Sequence, residues 1–502
     1  MALRRHHFVP GNTLLVLLAA AFTAHANEEL ASPEAEDKFA APSPTITFSP
    51  YEFSSRDGQK VTVERGEFYV PENRSDPKSR RIKLGFVRFP ATTGNKSPPL
   101  VYLAGGPGGS GVEAAQLPAR FAIFMALRDV GDVIAFDQRG TGWSNDIPEC
   151  PRSPDLPLDK PTTRASLVAA LQSAARECVR FWKDAGIDLA GYNTVESADD
   201  VEALRQALGA QKISLWGISY GSHLAFAILK RHPNSIERVA LVGLEGLDET
   251  VKLPALTDAF IARLQATIDR DPAAAKAYPD LAGTMRKLHA QLDKQPVSVP
   301  FRDSSGKDVI LVLGSLDLQA LAAFSISDPS RSRRLPELYT RMAAGDFSQA
   351  APFVYDFIRK PGAIRFRGMP EAMDAASGIS ADRLRLVEQH ARTSLLGDIL
   401  NFPIPHAGDA FGVPDLGDRF REPVSSSVPT LFLSGTLDGR TYPESAREIA
   451  ARFANGTHII VENGGHNLFE ASPLIRDMIV AYMKGQEPVS TTLTLDPPKF
   501  VE

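Results

Sequence analysis

Three short runs constrain this chain most: "PLVYLA" at 99–104, "DVIAF" at 132–136 and "VALVGL" at 239–244. Each is apolar almost throughout, with no polar alternation. That is the pattern of a strand buried on both faces. Between them lie stretches with helical spacing, such as "ADDVEALRQALG", where Val201, Leu204 and Leu208 share a face. Another strand, "KISLWGIS", leads into the helix "GSHLAFAILKRHP", which Pro233 stops. Strands alternating with helices predict an α/β fold with a mostly parallel, doubly wound sheet. Upstream, "KVTVERGEFYVP" and "RRIKLGFVRFPA" read as two further strands joined by a turn.

The alternation stops at Asp248. A mainly helical block follows ("LTDAFIARLQATI", "LPELYTRMAAGDF", "ISADRLRLVEQHARTSLLGDIL"), interrupted by one hairpin, "VSVPF" and "DVILVLG". It then resumes with "PTLFLSGTLD", "ESAREIAARFA", "THIIVENGGH" and "SPLIRDMIVAYMKG". This gives a core in two parts, 45–247 and 426–485, and an inserted block at 248–425 large enough to be a domain. A Pro- and Thr-rich tail, 486–502, closes the chain.

The first 26 residues read as a secretory signal: Arg4 and Arg5, then the apolar "TLLVLLAAAFTA", then Ala24-His25-Ala26 as the cleavage site. Residues 27–44, rich in Ala, Glu, Pro and Ser, read as a flexible leader. Cleavage after Ala26 leaves 53 basic against 60 acidic residues. With no basic stripe, nucleic acid is excluded as a partner. Export places the two cysteines, Cys150 and Cys178, in an oxidising compartment, where they are expected to pair. No His, Asp or Cys cluster has metal-ligand spacing, so neither a metal nor another cofactor is expected.

One serine stands between two glycines where strand becomes helix, in Gly217-Ile218-Ser219-Tyr220-Gly221. A Gly-x-Ser-x-Gly turn in that setting is a nucleophile elbow. It forces Ser219 into a strained backbone and presents the hydroxyl above the sheet edge. A serine needs a base, and the base an orienting acid, in the chain order Ser, acid, His. His466, in the loop "ENGGHN" after the last strand, is the expected base. Asp438, ending "LFLSGTLD", is the expected acid, with Glu245 as its competitor one strand earlier. The oxyanion donors are expected to be the N–H of Tyr220 and one from "AGGPGGSG", either Gly105 or Gly106, with Gly106 preferred.

With these residues placed, the chain resembles the α/β-hydrolases, and within them the prolyl aminopeptidase (proline iminopeptidase) and tripeptidyl-aminopeptidase-like branch. "GGPGGSG" (105–111), "DQRGTGWS" (137–144), "WGISYGS" (216–222), "SGTLDGRT" (434–441) and "NGGH" (463–466) carry the resemblance. It implies an exported serine peptidase acting at free peptide N-termini, with a helical lid between strands six and seven. Relatives often have His before the glycine pair, where this chain has Ala104. Lid carboxylates hold the substrate ammonium group in such enzymes, and Glu245 is a candidate for that work here. An esterase or amidase acting on small esters or lactones would use the same machinery. A non-catalytic binding protein on the same scaffold is the remote alternative.

Overall fold

The computed structural model describes residues 45–94 and 97–500. The expected secretory signal (1–26) and leader (27–44) lie outside the described residues. Twelve strands are present among those described: β1 (Thr47–Ser54), β2 (Lys60–Pro71), β3 (Arg81–Phe89), β4 (Leu100–Leu103), β5 (Val133–Phe136), β6 (Ile213–Ile218), β7 (Ile236–Val242), β8 (Val297–Arg302), β9 (Asp308–Leu313), β10 (Thr430–Gly435), β11 (Gly456–Glu462) and β12 (Thr492–Thr494). Ten of them form one sheet in the order β1-β2-β3-β5-β4-β6-β7-β10-β11-β12. The pairings of β1 with β2, β2 with β3, and β3 with β5 are antiparallel, and the rest are parallel. β8 and β9 form the separate hairpin.

The all-apolar runs are the sheet's central strands, and each feeds two cores. Val101 and Leu103 of β4, Leu215 of β6 and Leu241 of β7 point into one. Leu100, Tyr102, Trp216 and Val242 point into the other. Burying a large apolar side chain stabilises by roughly 1.5–3 kcal/mol, so a polar residue in either alternation would be costly.

Between β7 and β10 the chain is largely helical, from Pro254–Ile268 to Asp418–Arg421, with the β8–β9 hairpin inside. The described residues gather into one compact unit. Three details differ from the sequence reading. Residues 47–54 add an antiparallel edge strand. The tail adds β12 beside β11. The helix expected across 379–400 runs only over Ala381–Ala391, then breaks into turns ahead of Gly397. Cys150 is joined to Cys178, on the helix Arg164–Asp184, with a Cα–Cα distance of 5.5 Å.

Candidate active site

β6 ends at Ile218 and a helix starts at Tyr220 (Tyr220–Arg231), so Ser219 alone makes the turn. Its φ of 58° and ψ of −125° lie in a region non-glycine residues rarely occupy. Its N–H is shared between the carbonyls of Val242 and Gly243, both at 3.0 Å, which fixes the turn against β7. Gly217 and Gly221 allow the tight packing. A Cβ on Gly217 would stand 2.7 Å from the Leu103 carbonyl oxygen, and one on Gly221 would collide with the same atom. Ser219 thus faces a cavity of about 440 Å³, which Gly105, Gly106, Glu245, Asp374 and His466 also line.

The loop after β4 carries Gly105 and Gly106, the latter at φ 127°. Two residues of "DQRGTGWS" brace it. Gln138 Nε2 donates to the Ala104 carbonyl at 3.0 Å. Buried Asp137 accepts from Ser110 Oγ at 2.6 Å and the Val112 N–H at 3.0 Å on one oxygen, and from the Trp143 N–H at 2.8 Å on the other. Burial pushes the Asp137 pKa up to about 6, against these donors. The sequence reading quoted this motif without giving it a task. Among the described residues, the Gly106 and Tyr220 N–H groups donate no backbone hydrogen bond. Tyr220 heads its helix, where N–H groups lack an intrahelical acceptor.

His466 follows β11. Its Nδ1 lies 2.9 Å from Oδ2 of Asp438, which is fully buried just beyond β10. Asp438 also accepts from the N–H groups of Arg440 (2.7 Å) and Thr441 (2.9 Å) and from Thr441 Oγ1 (2.6 Å). Burial alone would raise its pKa. The His466 imidazole and the Thr441 donors outweigh burial and hold it below the usual value. Glu245, the competitor acid, is engaged elsewhere: it is ion-paired with Lys252.

Five of the other described histidines are engaged structurally, His289 with Tyr339 Oη at 2.9 Å among them. His223 bonds the Gly246 carbonyl (3.0 Å) and His458 bonds Ser434 Oγ (3.0 Å). His232 and His406 pair with Asp199 and Asp398.

Two features of the inserted block escaped the sequence reading. Its Ser327 carbonyl accepts the His466 N–H at 2.9 Å, and its Asp328 accepts from Asn467. Asp374 enters the cavity with Oδ1 buried and no side-chain hydrogen bond or ion pair among the described residues. Burial, and then the charge of Glu245, push its pKa well above the carboxylate range, with Lys252 opposing. Spacing could not reveal Asp374, since it meets Glu245 across more than a hundred residues. Among the described residues no group of three or more His, Cys, Asp or Glu side chains could hold a metal ion.

The sequence matches the alpha/beta hydrolase fold family over residues 98–473. The chain belongs to that family. This α/β-hydrolase is 23% identical over 456 residues to the tripeptidyl aminopeptidase of Streptomyces coelicolor, covering 84% of this chain and 81% of that one. It is 24% identical over 458 residues to the serine protease Hip1 of Mycobacterium tuberculosis, covering 84% and 85%. A solved structure of a thermophilic esterase from Thermogutta terrifontis covers 83% of this chain and 98% of its own, at 15% identity and a TM-score of 0.37. The family match and the two peptidase and protease relatives make this α/β-hydrolase a serine hydrolase.

Proposed function

We propose that this α/β-hydrolase is an exported aminopeptidase that releases residues or short peptides from free peptide N-termini. The observation that carries the reading is the acidic end of the cavity. Glu245 and Lys252 are ion-paired there, while Asp374 makes no ion pair or side-chain hydrogen bond of its own among the described residues. An arriving ammonium group supplies a partner, and its charge favours the ionised form of Asp374 against the burial that opposes it. The names of the relatives, tripeptidyl aminopeptidase and serine protease, agree with this reading. Export is supported by the Cys150–Cys178 disulfide and by the sequence at 1–26.

In this mechanism Ser219 Oγ attacks the scissile carbonyl while His466 Nε2 takes its proton. Asp438 holds His466 Nδ1–H and stabilises the imidazolium that forms. The oxyanion rests on the N–H groups of Gly106 and Tyr220. His466 then protonates the leaving amine, the C–N bond breaks, and water attacks the acyl-enzyme with His466 again as base. The block 248–425 acts as the lid, contributing Asp374 and anchoring the His466 loop.

The test uses wild type, Ser219→Ala and Asp374→Asn on three substrates: a free prolyl or alanyl anilide, the same anilide with its amine blocked, and a short-chain p-nitrophenyl ester. Cleavage of the free anilide only, with KM raised about tenfold in Asp374→Asn, supports the reading. Cleavage of the ester alone replaces it with the esterase. Equal turnover of free and blocked anilides removes the ammonium site.

A further inference from the structure

The cavity wall also carries a cation that makes no ion pair among the described residues. Arg440 belongs to "SGTLDGRT", the motif that also supplies Asp438 and Thr441, and its side chain lines the cavity with Ser219 and His466. Its backbone N–H is used by Asp438. Its guanidinium makes no hydrogen bond or ion pair among the described residues.

Tyr442, Asp438, Arg331 and Asp328 act on Arg440, and Tyr442 Oη is bonded to Thr257 Oγ1 at 2.6 Å. Neither carboxylate is free to serve it. Asp438 is held by His466 and Thr441, and Asp328 is held by Asn467 at 2.9 and 2.8 Å. Arg331 adds a like charge. Arg120, also at the cavity wall, differs: it has Tyr102 Oη at 3.0 Å, Asn467 Oδ1 at 3.1 Å and Glu470 at 3.2 Å. Arg440 is half-buried, and its guanidinium stays charged where it faces the cavity. Burial depresses the Arg440 pKa.

The chemistry assigns a direction to this part of the wall. His466 must reach the leaving nitrogen to protonate it, so the departing half of the substrate runs past His466. Ser327 accepts the His466 N–H, Asn467 is its chain neighbour, and the Arg440 N–H donates to the acid that holds His466, so these three lie next to His466 in the cavity lining.

We infer that Arg440 receives a carboxylate on the residue immediately after the scissile bond, so that substrates with an anionic leaving half are preferred. The inference rests on the aminopeptidase reading for its peptide form. A guanidinium binds a carboxylate through paired N–H donors. That carboxylate has two sources, an Asp or Glu side chain or the free C-terminus of a peptide ending one residue after the cut.

Matched substrates separate the sources and the readings. With the acyl part held constant, one pair has Asp-amide against Asn-amide after the scissile bond. A second has alanine against alanine-amide. A third, without a peptide bond, has a 4-carboxyphenyl against a phenyl ester. Wild type is expected to favour the carboxylate by about tenfold in kcat/KM, in the first pair for a side chain and in the second for a C-terminus. Arg440→Gln should bring that ratio to about one, and Arg440→Lys should keep part of it. Equal loss on both members of a pair, a wild-type ratio near one in every pair, or a ratio untouched by Arg440→Gln would overturn the inference. If no peptide is cut but the ester pair shows an Arg440-dependent ratio, the aminopeptidase reading falls and the anion site stands. If peptides are cut with no carboxylate preference, the reverse holds.

Discussion

Asp328 accepts hydrogen bonds from both the backbone N–H and the side-chain amide of Asn467, at 2.9 and 2.8 Å. Asn467 is the neighbour of His466, so a carboxylate of the inserted block holds the loop on which the proposed base stands. Asp328→Ala should lower kcat about tenfold while leaving the fold intact, since it frees two donors of Asn467 and removes no buried apolar side chain. Steady-state kinetics beside a thermal melt tests this. A fall in melting temperature with unchanged kcat in the folded fraction would make the contact merely structural.

Asp438 and Glu245 separate by substitution. Asp438→Asn keeps the shape but turns a donor toward His466, so turnover should fall on the order of 10⁴-fold, as when a triad acid is neutralised. Glu245→Gln should act mainly on KM for free-amine substrates, because its carboxylate faces Lys252. If Glu245→Gln abolishes kcat and Asp438→Asn does not, the acid has been misassigned.

Asp137 links stability to pH. Its folded pKa of about 6 lies above the ordinary 3.8, so the folded chain binds that proton more tightly than the unfolded chain. The contribution is complete below about pH 4 and is lost as the pH rises to about 6. The full swing is about 3 kcal/mol at most. Melting temperatures of wild type and Asp137→Asn across that range should therefore shift in the variant's favour as pH rises, and run parallel above it. A difference that stays constant with pH would show that Asp137 titrates normally.

Much of the fold was legible because central strands have to be apolar on both sides, and "VALVGL" advertises that directly. The elbow was legible because Gly217 and Gly221 are required by one carbonyl, that of Leu103. The edges were not. β1 is exposed on most of its length, and β12 has three residues, so neither leaves an apolar signature. Asp374, Asp328 and Arg440 were hidden for a different reason. Each acquires its meaning from a residue brought alongside by the fold, or from the lack of one, and spacing along the chain carries neither.

The backbone of Ser219 has a wider consequence. Holding a non-glycine residue at φ 58°, ψ −125° costs of order 1–3 kcal/mol, and glycine would be relieved of it for about 0.4–1 kcal/mol of added freedom in the unfolded chain. Ser219→Gly should therefore melt higher than Ser219→Ala, which keeps the Cβ, and calorimetry on the two variants decides it. A library of this gene screened for heat resistance alone would collect glycine at 219 and lose the proposed nucleophile. At this one torsion, durability and the proposed reactivity are opposed.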